Sequence, residues 1–195
     1  MSSSASARRK PVLYADIEAL PEGVVGEIIE GELHVHPRPA PRHALVASRL
    51  GALLNTEFDE GMGGQGGWVI LDEPEIQLGE NILVPDLAGW RCSRLPELPE
   101  KGPFVIEPDW VCKVRSPSTA NDDRLRKLPI YADHGIGYVW LVDPMVRTIE
   151  VLKLSDGKWT LIAKHGDEDH VHAEPFEAAE LPLSRLWDKR SAERA

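Results

Sequence analysis

Long apolar runs are absent from this 195-residue chain. None approaches the roughly 20 residues that a bilayer-spanning helix needs, so no membrane span is expected. The opening MSSSASARRK is small and basic but has no apolar centre, so it is not expected to act as a secretory signal. It reads as a disordered lead-in over residues 1–12. Cysteine is scarce. Cys92 and Cys112 sit in or beside strand-like runs without metal-ligand spacing, so two buried free thiols in a reducing cytoplasm are expected rather than a disulfide. Positive charge is in deficit, with 22 Lys and Arg against 32 Asp and Glu and a net charge of −10. That balance argues against a protein that coats nucleic acid through many phosphate contacts. It leaves room for an acidic metal site with a local basic rim. The glycine-rich GMGGQGG at 61–67 lacks the Lys-Ser/Thr ending of a phosphate-binding loop. No repeat and no second compositional regime appears, so one α/β domain is expected over 13–187, with a solvated tail at 188–195.

What is present is a run of alternating β and α signals. Tyr14 to Leu20 suits a short helix. Val24 to Ile29 and Glu32 to His36 form a hairpin across Glu30-Gly31, with Gly31 supplying positive φ. Pro37, Pro39 and Pro41 deliver the chain to a helix from about Arg42 to about Phe58, whose stripe is Val46, Leu50, Leu53, Leu54 and Glu57. Strands are expected at Trp68 to Leu71, Glu75 to Leu78 and Ile82 to Trp90, then a proline-rich surface loop at Ser93 to Pro103. Thr148 to Leu154 and Lys158 to Ala163 flank an Asp156-Gly157 hairpin turn, and Leu181 to Trp187 closes the fold.

The stretch from Pro108 to Pro144 carries the chemistry. An apolar strand, Asp109 to Val114, breaks at Ser116-Pro117-Ser118-Thr119, enters a charged helical segment and returns as Tyr138 to Val142. This β-loop-α-β order puts polar groups at the carboxyl end of a buried strand, where open α/β sheets carry their sites. On a helix, Asp123, Lys127 and Tyr131 share one face, while Leu125, Leu128 and Ala132 take another. Asn121 or Asp122 suits the helix start, His134 and Gly135 its end, and Pro129 predicts a kink or split near Leu125. Upstream, Val84-Pro85-Asp86 leaves a strand end with a carboxylate suited to a hard divalent cation. Alone, Asp86 reads first as a strand-end turn cap, and Asp123 with Lys127 as a solvated salt bridge. The pairs His34/His36 and His170/His172 have strand spacing but no evident third zinc ligand, and so read as surface histidines. His43 opens the long helix and is a candidate for a phosphate contact.

Taken together, Val84-Pro85-Asp86, Pro108-Asp109, Val114 through Ser116-Pro117-Ser118-Thr119, the Asp123/Lys127/Tyr131 face and Tyr138 to Pro144 resemble the Uma family of putative restriction endonucleases, within the PD-(D/E)XK nuclease superfamily. The opening Gly26 to Leu33 with Pro41-Arg42-His43, and the closing Leu181 to Trp187, are similar to the family as well. The resemblance implies a restriction-endonuclease-like fold, a mixed central sheet flanked by helices, and magnesium- or manganese-dependent cleavage of DNA phosphodiesters. It puts Asp86 on the first metal-binding acid, position 113 on the second, Lys127 on the superfamily lysine and Glu30 on an early acid. Two carboxylates would hold the metal that activates water, and the lysine would stabilise charge developing on the phosphoryl group.

The sequence departs from this pattern at position 113, which is lysine. Exchanging a carboxylate for an ammonium changes the local charge by two units and predicts a Lys113–Asp86 pair in the metal's place. Its attraction is about 4 kcal/mol at roughly 4 Å and an effective dielectric near 20, before desolvation. Arg115 alternates onto the same face. Two further readings follow: a non-catalytic module of the same fold, holding nucleic acid or another anion at Lys113, Arg115, Arg124 and Lys127, and a homodimer built on paired edge strands.

Overall fold

In the computed structural model, residues 11–59, 66–115 and 126–188 are described. Helix α1 (Tyr14–Glu18) precedes the hairpin of β1 (Val24–Ile29) and β2 (Glu32–Pro37). Both turn residues, Glu30 (φ 53°) and Gly31 (φ 79°), are left-handed, the geometry that matches the twist of a two-residue hairpin. Helix α2 (Pro41–Leu54) starts with a proline in its first turn, where no amide partner is lost. It buries Val46, Leu50 and Leu54, and one wider turn, Asn55–Asp59, adds Phe58 to the same stripe.

Among the described residues, the strands that follow build two larger sheets. Strands β4 (Ile76–Leu78) and β5 (Asn81–Leu83) join the hairpin in the order β2-β1-β5-β4. Strands β3 (Trp68–Asp72), β6 (Leu87–Arg91), β7 (Trp110–Val114), β8 (Tyr138–Asp143), β9 (Thr148–Ser155) and β10 (Lys158–Gly166) form the central sheet in the order β10-β9-β8-β7-β6-β3. Its β7–β8 pair is parallel and its other pairs antiparallel. This is the mixed α/β sheet expected from the sequence. The parallel crossover contains α3 (Leu128–Asp133), with His134 as its C-cap and Gly135 at φ 70°. Pro129 lies in the first turn of α3 rather than at an interior kink, and Leu125 is outside the described residues.

One expectation fails at an informative place. Ile82 to Trp90 is not a single strand: it divides at Val84-Pro85-Asp86, and its halves, β5 and β6, belong to different sheets. Pro85 has no amide to donate. The Asp86 amide bonds the Cys112 carbonyl at 3.0 Å, while the Asp86 carbonyl accepts from Glu73 at 3.1 Å. The chain thus changes sheets at the strand-end carboxylate.

The core lies on both faces of the central sheet. On one, Phe176 sits 4.7–5.6 Å, ring centre to ring centre, from Phe58, Trp68, Trp110 and Trp140. The short strands β11 (His170–Val171) and β12 (Leu181–Pro182) pair here, and the following turn adds Leu183, Leu186 and Trp187 to this cluster. The other face gathers Ile29, Leu83, Trp90, Val111, Val139 and Ile130. Cys112 is buried, but Cys92 is exposed, contrary to expectation, and both thiols are free. Among the described residues, no helix is long and apolar enough to cross a membrane.

Candidate active site

The sheet switch assembles the site. Asp86 is only 6% exposed. Its Oδ1 lies 3.1 Å from His43 Nε2, and its Oδ2 lies 3.2 Å from Lys113 Nζ. The Val114 amide donates to Oδ2 at 2.7 Å. Lys113 reaches this point because β7 alternates: Trp110, Cys112 and Val114 face the tryptophan cluster, leaving Lys113 on the opposite side with Val111. His43 reaches it from the first turn of α2. Burial pushes the Asp86 carboxyl up, but Lys113 first, then His43 and the Val114 amide, outweigh it and hold the pKa at about 2. The adjacent Cys112 thiol is pushed well above its ordinary value, chiefly by burial and further by Asp86. It is an inert packing group.

A second buried pair adjoins the first. Glu27 Oε2 accepts from Lys127 Nζ at 2.7 Å, and Glu27 Oε1 accepts from the Val84 amide at 2.8 Å. Lys113 Nζ donates to the Val84 carbonyl at 3.2 Å. The two sides of one residue between the sheets therefore join the two ion pairs. His36 Nε2 stands 3.7 Å from Glu27 Oε2.

The structure thus brings together Asp86, Lys113, Lys127 and His43. It does not bring Glu30, which lies exposed in the β1–β2 turn with its amide bonded to Asn81 Oδ1. Glu27, in β1, is the acid that adjoins the cluster instead. A carboxylate inside the apolar run Val24 to Ile29 was the available signal, since an acid in a buried strand requires a partner. Lys127 and Tyr131 are buried, so the surface salt-bridge reading of Lys127 is also overturned. Arg115 pairs with Asp143 at 2.9 Å at the site's rim. Arg124 and Asp123 lie outside the described residues. The distal histidines are exposed and locally bonded, His170 to Glu180 and His172 to the Glu177 carbonyl. Among the described residues, no group of three or more His, Cys, Asp or Glu side chains is placed to hold a metal ion.

Comparison with known proteins agrees with this architecture. A structure of a putative nuclease of the DUF820 group from Anabaena variabilis superposes with a TM-score of 0.70 at 22% identity, covering 91% of this chain and 98% of that one. At that identity the likeness shows the fold. No curated protein matches the chain. The family model described as "Putative restriction endonuclease", Uma2, matches residues 13–184, nearly the whole sequence. The chain belongs to the Uma2 family.

Proposed function

We propose that this protein is a restriction-endonuclease-type domain directed at DNA phosphodiesters, in which Lys113 occupies the place of the catalytic cation and silences hydrolysis. The observation that carries this reading is the 3.2 Å contact of Lys113 Nζ with Asp86 Oδ2. A magnesium ion takes six oxygen ligands at about 2.0–2.1 Å, several of them water, and needs unsatisfied carboxylate oxygens. Here Asp86 Oδ1 faces His43, and Oδ2 faces Lys113 and the Val114 amide. Glu27 Oε1 and Oε2 face the Val84 amide and Lys127. These donors are committed to cations and N–H groups, so the residues present do not fit a magnesium ion.

The Lys113 ammonium supplies positive charge to the buried Asp86 carboxylate without a water that could be activated. Removing Lys113 would leave Asp86 buried with His43 and the Val114 amide as its remaining close donors. A broad anion-binding cleft is less well supported, because Lys113, Lys127 and Arg115 each face a carboxylate.

The test is calorimetric titration with magnesium and manganese of the native chain and of Lys113→Glu, with nicking of supercoiled DNA as the second readout. The native chain is expected to bind neither ion and leave the DNA intact, while Lys113→Glu binds and nicks. Metal binding and nicking by the native chain would overturn the silencing. Failure of both chains to bind would remove Asp86 and position 113 from one metal site.

A further inference from the structure

The place that Lys113 Nζ fills is set by two oxygens. Asp86 Oδ2 and the Val84 carbonyl each lie 3.2 Å from the ammonium. The Asp86 side is secured locally, since the Val114 amide donates to the same oxygen at 2.7 Å and His43 faces the other. The Val84 side is secured from a distance. Val84 is buried and precedes Pro85, whose ring disfavours the helical region for the residue before it. With the Val84 backbone confined to extended conformations, fixing its amide also fixes its carbonyl. That amide is held at 2.8 Å by Glu27 Oε1, and Glu27 Oε2 is held at 2.7 Å by Lys127 Nζ. Both side chains are sealed from water, at 2% and 4% exposure, so solvent does not weaken the hold.

Resting on the reading of Lys113 as the resident cation, we propose that Glu27 and Lys127 are positioning residues. Through the stiff Val84-Pro85 backbone they hold the carbonyl that, with Asp86, keeps the Lys113 ammonium in place. Lys127 then acts on the site through Glu27 and Val84. That differs from the role implied by the family resemblance, in which it would stabilise charge on the phosphoryl group directly.

Competitive acetylation of lysines, read residue by residue by peptide mass spectrometry, measures how firmly Lys113 is held. Lys101 and Lys158 are exposed and serve as references. In the native chain Lys113 should react at least roughly tenfold more slowly than either, because a buried group reacts only through its open population. Lys127→Met should speed Lys113 by roughly tenfold relative to the references, within the range of coupling inside one network. Pro85→Ala leaves the Glu27–Lys127 pair intact but frees the Val84 backbone, and should speed Lys113 by a smaller factor. It also decides the matter alone if Lys127→Met fails to fold. Trp159→Phe is the control. It removes the 2.8 Å bond from Trp159 Nε1 to the Leu128 carbonyl and so loosens the start of α3 without touching Val84. Lys113 labelling should stay slow in that variant.

Lys113 labelling that is unchanged in Pro85→Ala, or raised no more by Lys127→Met than by Trp159→Phe, would overturn the positioning role. The silencing of the site, which Lys113→Glu decides, would then still stand. A native Lys113 that reacts as fast as Lys101 would overturn both, because the ammonium would not be held at Asp86.

Discussion

Two buried lysine–carboxylate pairs flank Val84, and their surroundings differ. Glu27–Lys127 is sealed on both sides, with side-chain exposures of 2% and 4%, and beyond its lysine the close donor to Glu27 is the Val84 amide. Asp86–Lys113 is slightly more open, at 7% and 12%, and Asp86 has two further close donors, His43 and the Val114 amide. The first pair joins the strand β1 to the start of α3 and so fastens the small sheet to the crossover. The second lies at the carboxyl end of the parallel strand β7, where chemistry is carried in α/β sheets. One pair is therefore chiefly a structural tie, whereas the other lies where the proposed function puts the reaction centre.

Substitutions should separate the two. Lys127→Met, which keeps length and removes charge, strands Glu27 in the interior and is expected to destabilise the fold by about 3–5 kcal/mol in urea unfolding. Asp86 sharpens the comparison through pH. Its folded pKa of about 2 lies below the ordinary value of 3.8, so its stabilisation is fully present above about pH 4 and lost as pH falls through 2. That stabilisation is on the order of 2 kcal/mol. The stability gap between the native chain and Asp86→Asn should be constant above pH 4 and shrink below it. A gap independent of pH would mean that Asp86 is not held ionised by its neighbours. Lys113→Met should cost less than Lys127→Met, about 1–2 kcal/mol, because two donors remain on Asp86. If Lys113→Met were the more damaging, the assignment of tie and reaction centre would be reversed. Glu30→Gln should change stability by less than about 0.5 kcal/mol, as an exposed turn residue does.

Much of this was legible because the residues break local rules. Asp86 follows a proline at a strand end, which offered a carboxylate for a site, and the family resemblance set position 113 beside it; the geometry brings Asp86 and Lys113 together. The hairpin turn at Glu30-Gly31 and the helical stripe through Val46, Leu50 and Leu54 were equally plain, since backbone sterics and periodicity are local. Glu27 was missed because the motif-like Glu30 lay three residues away and drew the assignment, although an acid inside the apolar run Val24 to Ile29 marks an inward-facing position. The strand end at Val84-Pro85-Asp86 was legible, but the change of sheet there was not, because β-like sequence resumes at Leu87. Only the partners of Val84 and Asp86, from β1, α2 and β7, reveal that the sheets change there. Phe176 was missed for the same reason. Its role depends on four aromatic rings between 36 and 118 positions away in the chain.

The central claim, that Lys113 stands where a metal ion would, is tested most directly by thermal unfolding of the native chain and Lys113→Glu, each with magnesium and with a chelator. A ligand bound only by the folded state raises the melting temperature as its concentration exceeds Kd. The native chain should melt at one temperature in both conditions. Lys113→Glu should melt lower in chelator, with two carboxylates facing each other, and recover several degrees in magnesium. A native chain stabilised by magnesium as strongly as Lys113→Glu would contradict the account.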